Sequence, residues 1–310
     1  MKLNILLTGK NGQVGDELFR LLPRLGDVAA PSRSELDLSD PTSIRKTIRE
    51  IRPQLIVNAA AYTAVDQAEK EGYAAHAVNT EAPAVLAEEA KKIGAALVHY
   101  STDYVFDGSN TTPYTEDDLP NPVSVYGRTK FAGEQAIRDS GVAHLNFRTA
   151  WVYGTRGRNF LLTILRLASQ REELTIVRDQ IGAPTASREI AAATVKILEQ
   201  LYTGNSAHSI LAERSGTYNL TASGETSWFG FANSILEEAS RLAPDTPWFA
   251  SATGGRPLIA KRVVPILTQE YPTPARRPAY SVLSSARLLQ IFGFALPDWR
   301  TQLHQTFLAQ

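Results

Sequence analysis

The chain of 310 residues has no cysteine at all. Disulfides, thiolate nucleophiles and Cys-ligated zinc or iron–sulfur centres are therefore excluded. It also lacks an excess of charge of either sign: 32 Lys plus Arg balance 32 Asp plus Glu. A broad basic face for nucleic acid is not expected from such a chain, although a small phosphate-bearing ligand needs only a few local charges. No apolar run approaches the roughly 20 residues that span a bilayer. The apolar start, Leu3 to Leu7, is too short for a signal peptide and is followed at once by glycines and charges. The expectation is a cytoplasmic protein with no membrane or nucleic-acid partner. The five histidines show no metal-ligand spacing, and no Gly-x-Ser-x-Gly elbow marks an acyl hydrolase.

What is present is alternation. Short apolar runs at 3–7, 28–30, 55–58, 96–100 and 145–148 read as strands buried on both faces. Helical spacing separates them over 13–25, from Pro41 onward behind an Asp40 N-cap, over 80–93, and from just after Pro122 to about 140. Strands alternating with helices at this period predict an α/β, Rossmann-like doubly wound parallel sheet, with ligands bound beyond the carboxyl ends of its strands. After residue 150 the regularity fails. Turns such as Gly182-Ala183-Pro184-Thr185 become common, and helices are expected only at 187–202 and 228–242.

Gly9-Lys10-Asn11-Gly12-Gln13-Val14-Gly15 follows the first strand and opens the first helix. Glycines there permit a tight turn, a close approach of backbone to a pyrophosphate, and tight helix–strand packing, while the helix N-terminus receives the anion. Residues 1–150 are accordingly expected to form a dinucleotide-binding domain. Residues 151–310 should form mainly a smaller C-terminal α/β substrate-binding lobe, with segments near 186–220 returning to the first domain. An NAD-selective site places an acid after the second strand. Here the chain reads Pro31-Ser32-Arg33-Ser34, which suits a 2′-phosphate and predicts a preference for NADPH, with NADH still usable. Asp37 and Leu38 lie where adenine would be touched, though Arg33 and Asp37 also read as ordinary solvated loop residues.

Tyr126 and Lys130 stand four residues apart at the start of a predicted helix and so share one face. A phenol near pKa 10 is a poor acid at neutrality, and a neighbouring ammonium favours its ionised form. Lys130 can also hold the nicotinamide ribose while Tyr126 gives a proton to a carbonyl oxygen. Between the glycine loop and this pair lies the strand end Tyr100-Ser101-Thr102-Asp103-Tyr104-Val105-Phe106-Asp107-Gly108, where Thr102 or Ser101 can polarise that carbonyl. The third strand ends in Asn58-Ala59-Ala60-Ala61-Tyr62, whose small side chains leave room for a cofactor against the backbone. His99 reads as a satisfied core residue.

Taken in chain order, these segments resemble the extended short-chain dehydrogenases and, within them, the dTDP-4-dehydrorhamnose reductases. The shared runs include Asn58 to Asp66, Val78-Asn79, Ser101 to Gly108, Tyr126 to Lys130, Arg148 to Gly154, Asn159-Phe160, Asp179 to Thr185, and Arg277-Pro278 with Ser281. They cover most of residues 1–190 and thin out beyond. The resemblance implies hydride transfer from NAD(P)H to C4 of a dTDP-linked 4-keto-6-deoxysugar. Thr102, Tyr126 and Lys130 take the catalytic positions. Gly9, Asn11, Gly12, Gln13, Val14, Arg33, Asp37, Leu38, Ala59, Ala60, Ala61 and Asn79, with Tyr126 and Lys130, are expected to hold the cofactor. Thr63, Val65, Asp66, Thr102, Asp103, Tyr104, Tyr126 and Trp151 are expected to line the sugar nucleotide. Asn159 and Phe160 fall near the nucleotide, and Arg277 within reach of its diphosphate. Core or surface roles remain open for Trp151, Asp66 and Arg277.

Two departures matter. Some family members bind Mg²⁺ at a dimer interface through three acids. Glu17 and Glu189 match two of those positions, but the third is Arg300. No structural Mg²⁺ is expected, and the chain is expected to be a monomer or weak homodimer. Ser32 stands where many relatives carry an acid, in keeping with NADPH. Two other readings compete. An NDP-sugar epimerase or 4,6-dehydratase shares these motifs, but dehydratases carry Glu where this chain has Tyr104. A non-catalytic NADP-binding regulatory subunit shares the fold, but has no need of Thr102, Tyr126 and Lys130 together.

Overall fold

The structure is a computed structural model and describes residues 2–202, 211–242 and 245–309. Its centre is a six-stranded sheet. Five strands come from the first half: β1 (Leu3–Thr8), β2 (Gly26–Ala29), β3 (Leu55–Asn58), β4 (Ala96–Thr102) and β5 (His144–Thr149). The sixth, Gly216–Asn219, adds to the β5 edge from the second half. The order is Gly216–Asn219, β5, β4, β3, β1, β2, and every pairing is parallel. The chain leaves β1 toward β2 and then returns to β3 on the other side of β1. The strand order reverses there, opening a crevice at the carboxyl ends of β1 and β3. This is the doubly wound α/β arrangement expected from the alternation.

β3, β4 and β5 are buried along their whole length because helices cover both faces. On one face lie Gln13–Leu21 and Ser187–Leu201, contributing Leu18, Ile190, Ile197 and Leu198 to a core with Ile5, Val57 and Val98. On the other lie Pro41–Ile51, Ala82–Ile93 and Val125–Ser140, contributing Ile44, Ile48, Leu86 and Ile137 against Leu6, Ile56 and Leu97. Asp40 caps Pro41–Ile51 as expected, its Oδ1 accepting from the Thr42 N–H at 2.8 Å. Ser124 caps Val125–Ser140 through the Gly127 N–H at 3.1 Å, which fixes where Tyr126 and Lys130 project.

A separate core gathers Leu161, Leu165, Phe231, Trp299, Leu303 and Phe307. It is built from the helices Phe160–Ala168, Trp228–Leu242 and Trp299–Leu308 beside a parallel ladder of Glu173–Val177 on Arg262–Ile266. The helix expected over 13–25 stops at Leu21 and tightens into a 3₁₀ turn, Leu22–Arg24. Pro23 explains the change, because it has no N–H to continue the ladder. Ala82–Ile93 is entered through a π-helical turn, Ala77–Glu81, with Pro83 in its first turn. Among the described residues no helix is long and apolar enough to cross a membrane.

Candidate active site

β1 runs straight into the glycine loop. Gly9 sits at φ +76°, and the Gly12 N–H closes the turn on its carbonyl at 2.8 Å. The close packing leaves no room for side chains. A Cβ on Gly15 would lie 2.0 Å from the Gly9 oxygen, and one on Gly9 would lie 2.7 Å from the Ala60 nitrogen. Gly12 occupies the N-cap of the first helix without a side-chain cap. The first amides are thus left to a ligand, and this cradle fits the pyrophosphate of a dinucleotide. Beside it, a cavity of about 600 Å³ is lined by Gly9, Asn11, Gly12, Arg33, Asp37, Leu38, Ala60 and Ala61, with Lys10, Ser32 and Tyr62. Ser32 is engaged locally: its N–H and hydroxyl both donate to Glu35, at 2.6 and 2.8 Å.

A second cavity, of about 640 Å³, continues from the first across the strand ends. Gln13, Val14, Ala59, Thr63, Val65, Thr102, Asp103, Tyr104, Tyr126, Lys130 and Trp151 all line it. The three expected catalytic residues therefore line the same cavity. Burial pushes the Tyr126 phenol up to about 12, while its contact with the Thr102 hydroxyl pulls the other way. Burial pulls Lys130 down to about 8, against the opposing charge of Glu134. The Lys130 ammonium donates to the Tyr100 carbonyl at 2.5 Å and lies 3.2 Å from His99 Nε2. Thr102 gives its hydroxyl hydrogen to Asp103 Oδ1 at 3.0 Å and accepts from the Tyr104 N–H at 3.2 Å. To polarise a substrate carbonyl, that hydroxyl has to turn from Asp103. Burial raises the Asp103 carboxyl to about 6 against hydrogen bonds from Ser281 and Thr102.

The remaining expected residues sit differently. Asp66 takes a two-pronged grip from Arg277, at 3.0 and 2.7 Å, and a further bond from the Ala275 N–H. This clasp holds the Asp66 carboxyl below the usual range. Asn79 is fully buried and ties Tyr62 to Thr129, accepting from the Tyr62 N–H at 2.9 Å and donating to Thr129 Oγ1 at 3.2 Å. It braces the cofactor wall from behind. Trp151 is a lining residue with φ +45°, a conformation that costs a bulky side chain on the order of 1–3 kcal/mol. Its ring lies flat on Trp228, with centroids 3.4 Å apart and planes 2° from parallel. Gly182 makes room for it, since a Cβ there would come within 2.4 Å of the indole. Asn159 caps its own helix through the Leu162 N–H and reaches Gln13 at 2.8 Å, while Phe160 packs on Trp228. Arg300 lies over the Trp299 ring.

Sequence reasoning did not find Trp228, Gly157 or Arg158, which also line the second cavity. Trp228 reads as the first residue of an amphipathic helix, and nothing local distinguishes it from core. Among the described residues no group of three or more His, Asp or Glu side chains is placed to hold a metal ion.

A family model described as the RmlD substrate binding domain matches residues 1–310. Among curated proteins the chain is 49% identical over 298 residues to a dTDP-4-dehydrorhamnose reductase of Burkholderia thailandensis, covering 96% of each chain. It is 42% identical over 307 residues to another from Escherichia coli K12, covering 96% of this chain and 95% of that one. Among solved structures it matches a dTDP-4-dehydrorhamnose reductase of Bacillus anthracis in complex with NADP, with a TM-score of 0.85 and 34% identity over 99% of each chain. A UDP-glucose 4-epimerase of Thermus thermophilus shares the fold at a TM-score of 0.73 and 19% identity, over 98% of this chain and 97% of that one.

Proposed function

The chain belongs to the RmlD substrate binding domain family, and from that premise we propose that it reduces the C4 keto group of dTDP-6-deoxy-L-lyxo-4-hexulose with NADPH, giving dTDP-L-rhamnose. The observation that carries this reading is the convergence of Thr102, Tyr126 and Lys130 on the cavity that continues from the glycine loop. A bound nicotinamide supplies the hydride. The hydroxyls of Thr102 and Tyr126 hold the carbonyl oxygen and stabilise the charge that develops on it. Tyr126 gives its proton to that oxygen. With its phenol near 12, Tyr126 is a weak acid on its own. Lys130, charged at neutrality with a pKa of about 8, favours the phenolate left behind. Arg277 would reach the diphosphate as a two-pronged donor by leaving its grip on Asp66, and Arg33 with Lys10 suits the cofactor's 2′-phosphate. Tyr104 in place of a second acid favours simple reduction over elimination.

The same reading assigns residues 1–150 to the cofactor and 151–310 mainly to the sugar nucleotide, with segments near 186–220 serving the first. Ser187–Leu201 on the first helix's face and Gly216–Asn219 in the sheet support this division; residues 203–210 lie outside the described residues. We place the enzyme in the cytoplasm as a monomer or weak homodimer without structural Mg²⁺. The cation at Arg300, set where relatives carry an acid, supports the last point.

The test follows NADPH absorbance at 340 nm with the enzymatically made keto sugar, for wild type and Tyr126→Phe. Substrate-dependent oxidation that falls by about 10²–10⁴-fold in the variant is expected. A folded, NADPH-binding wild type that consumes no NADPH would overturn the reading in favour of a regulatory subunit or another keto sugar.

A further inference from the structure

Behind Lys130 runs a line of buried polar groups that the reaction as described does not use. Thr8 Oγ1 lies 2.6 Å from Asn58 Oδ1, Asn58 Nδ2 lies 3.0 Å from His99 Nδ1, and His99 Nε2 lies 3.2 Å from Lys130 Nζ. Thr8, Asn58, His99 and Lys130 are each at most 2% exposed. The line crosses β1, β3 and β4 to the helix that carries Tyr126. Buried polar groups at this depth must be paired, so their hydrogens can be counted.

A neutral imidazole has one N–H. Burial holds His99 well below its ordinary pKa, with the charges of Lys130 and His144 acting in the same direction. Those two are the charged groups acting on the ring; of the neighbouring strands, β3 sets Asn58 against it, with Thr8 of β1 behind Asn58, and β5 sets Asn146 in register with it. With Asn58 Nδ2 turned to the ring, the single proton must sit on Nε2, facing an unprotonated Lys130 amine. An ammonium needs Nε2 as an acceptor. The ring proton then sits on Nδ1, and the Asn58 amide turns over to present Oδ1 to it.

We propose that His99 is the positioning residue for Lys130: the ammonium is pinned by the Tyr100 carbonyl and by His99 Nε2, which leaves its third hydrogen for the cleft. Thr8 and Asn58 hold the ring in the tautomer that can accept. The inference rests on the reading of Lys130 as the group that orients the cofactor and assists Tyr126. His99 touches neither cofactor nor substrate and acts only through Lys130.

The experiment uses wild-type protein labelled with ¹⁵N-histidine, followed by NMR from pH 6 to 10 with and without NADPH. The expected result is a neutral His99 ring protonated on Nδ1 at neutral pH, passing to the Nε2 form as the pH rises through about 8, where Lys130 loses its proton. A ring already protonated on Nε2 at neutral pH would overturn the proposal. In parallel, His99→Leu is expected to move the alkaline limb of kcat/KM to lower pH by roughly one unit, because the ammonium loses one acceptor. His99→Gln, which can offer its side-chain oxygen to Lys130, should move it most of the way back. Variants that lose thermal stability while the limb stays fixed would reduce His99 to a packing residue. If His99→Leu does not fold, the wild-type tautomer decides. The titration needs no sugar. An intact titration beside a failed turnover assay would therefore condemn the substrate assignment and leave this inference standing.

Discussion

Two polar clusters of opposite character stand at or behind the lining of the cleft, an inner wall and an outer wall. The inner wall, from Thr8 through Asn58 and His99 to Lys130, is sealed from solvent and rooted in three strands and a helix. The outer wall is the clasp of Arg277 on Asp66, whose side chains are 21% and 41% exposed and which joins the short helix Val65–Ala68 after β3 to a segment near the chain's end. Both are hydrogen-bonded with good geometry, yet their physics differs. In the dry interior each charge is set by burial and by the count of donors and acceptors, so small changes alter chemistry. At the rim, water and salt screen the pair, so it can open and close at little cost. On the proposed function, the inner wall would fix a proton and the outer wall would grip and release a ligand.

Lys130→Met tests this division most severely. Losing the ammonium should lower kcat by about 10²–10³-fold and abolish the alkaline limb near pH 8. A folded variant with wild-type kcat would break the assignment of chemistry to the inner wall. Arg277→Lys should act more mildly and on the other parameter. It keeps the charge but loses the two-pronged grip, so KM for the sugar nucleotide should rise about tenfold while kcat holds. A collapse of kcat with unchanged KM would show that the rim also serves the chemistry. The smallest effect concerns acid. Arg277 holds the Asp66 carboxyl below its ordinary pKa, so the clasp contributes stability above that ordinary value and loses it as pH falls through the lowered one. The melting-temperature difference between wild type and Asp66→Asn should therefore be slight at neutrality and vanish in acid. A difference that widened as pH fell would refute the ion pair's sign.

The walls also differed in how far the sequence disclosed them. Strands buried on both faces appear as continuous apolar runs, so β3 was found at its observed ends, 55–58. Tyr126 and Lys130 are legible as a pair on one helix face and Thr102 or Ser101 as a strand-end hydroxyl, while the family resemblance is what singles out Thr102 and joins the three. His99 was visible only as a buried histidine, since its partners Asn58 and Lys130 come from other elements, and its meaning lies in a hydrogen count that spacing does not encode. The edge strand Gly216–Asn219 reads Gly-Thr-Tyr-Asn, with too little apolar character to announce itself, and it joins the sheet through long-range pairing with β5. Helices of four and five residues, Val65–Ala68 and Gly72–His76, span little more than one turn, too few for a hydrophobic period to repeat. Trp228 enters the cleft only because the second core carries its helix there. Asn79 matched a motif, yet its side chain braces Tyr62 and Thr129 from behind the cavity wall.

The clasp between Asp66 and Arg277 has a consequence for biosynthesis. A ribosome makes the glycine loop, the inner wall and Asp66 early, and the sheet has its last strand once Asn219 has emerged. Arg277 follows only several seconds later, at roughly 5–20 residues per second. Until then the nascent chain can hold its cofactor cradle but has no outer rim. The two walls are therefore assembled in two instalments, and the Asp66–Arg277 clasp closes only as synthesis nears its end.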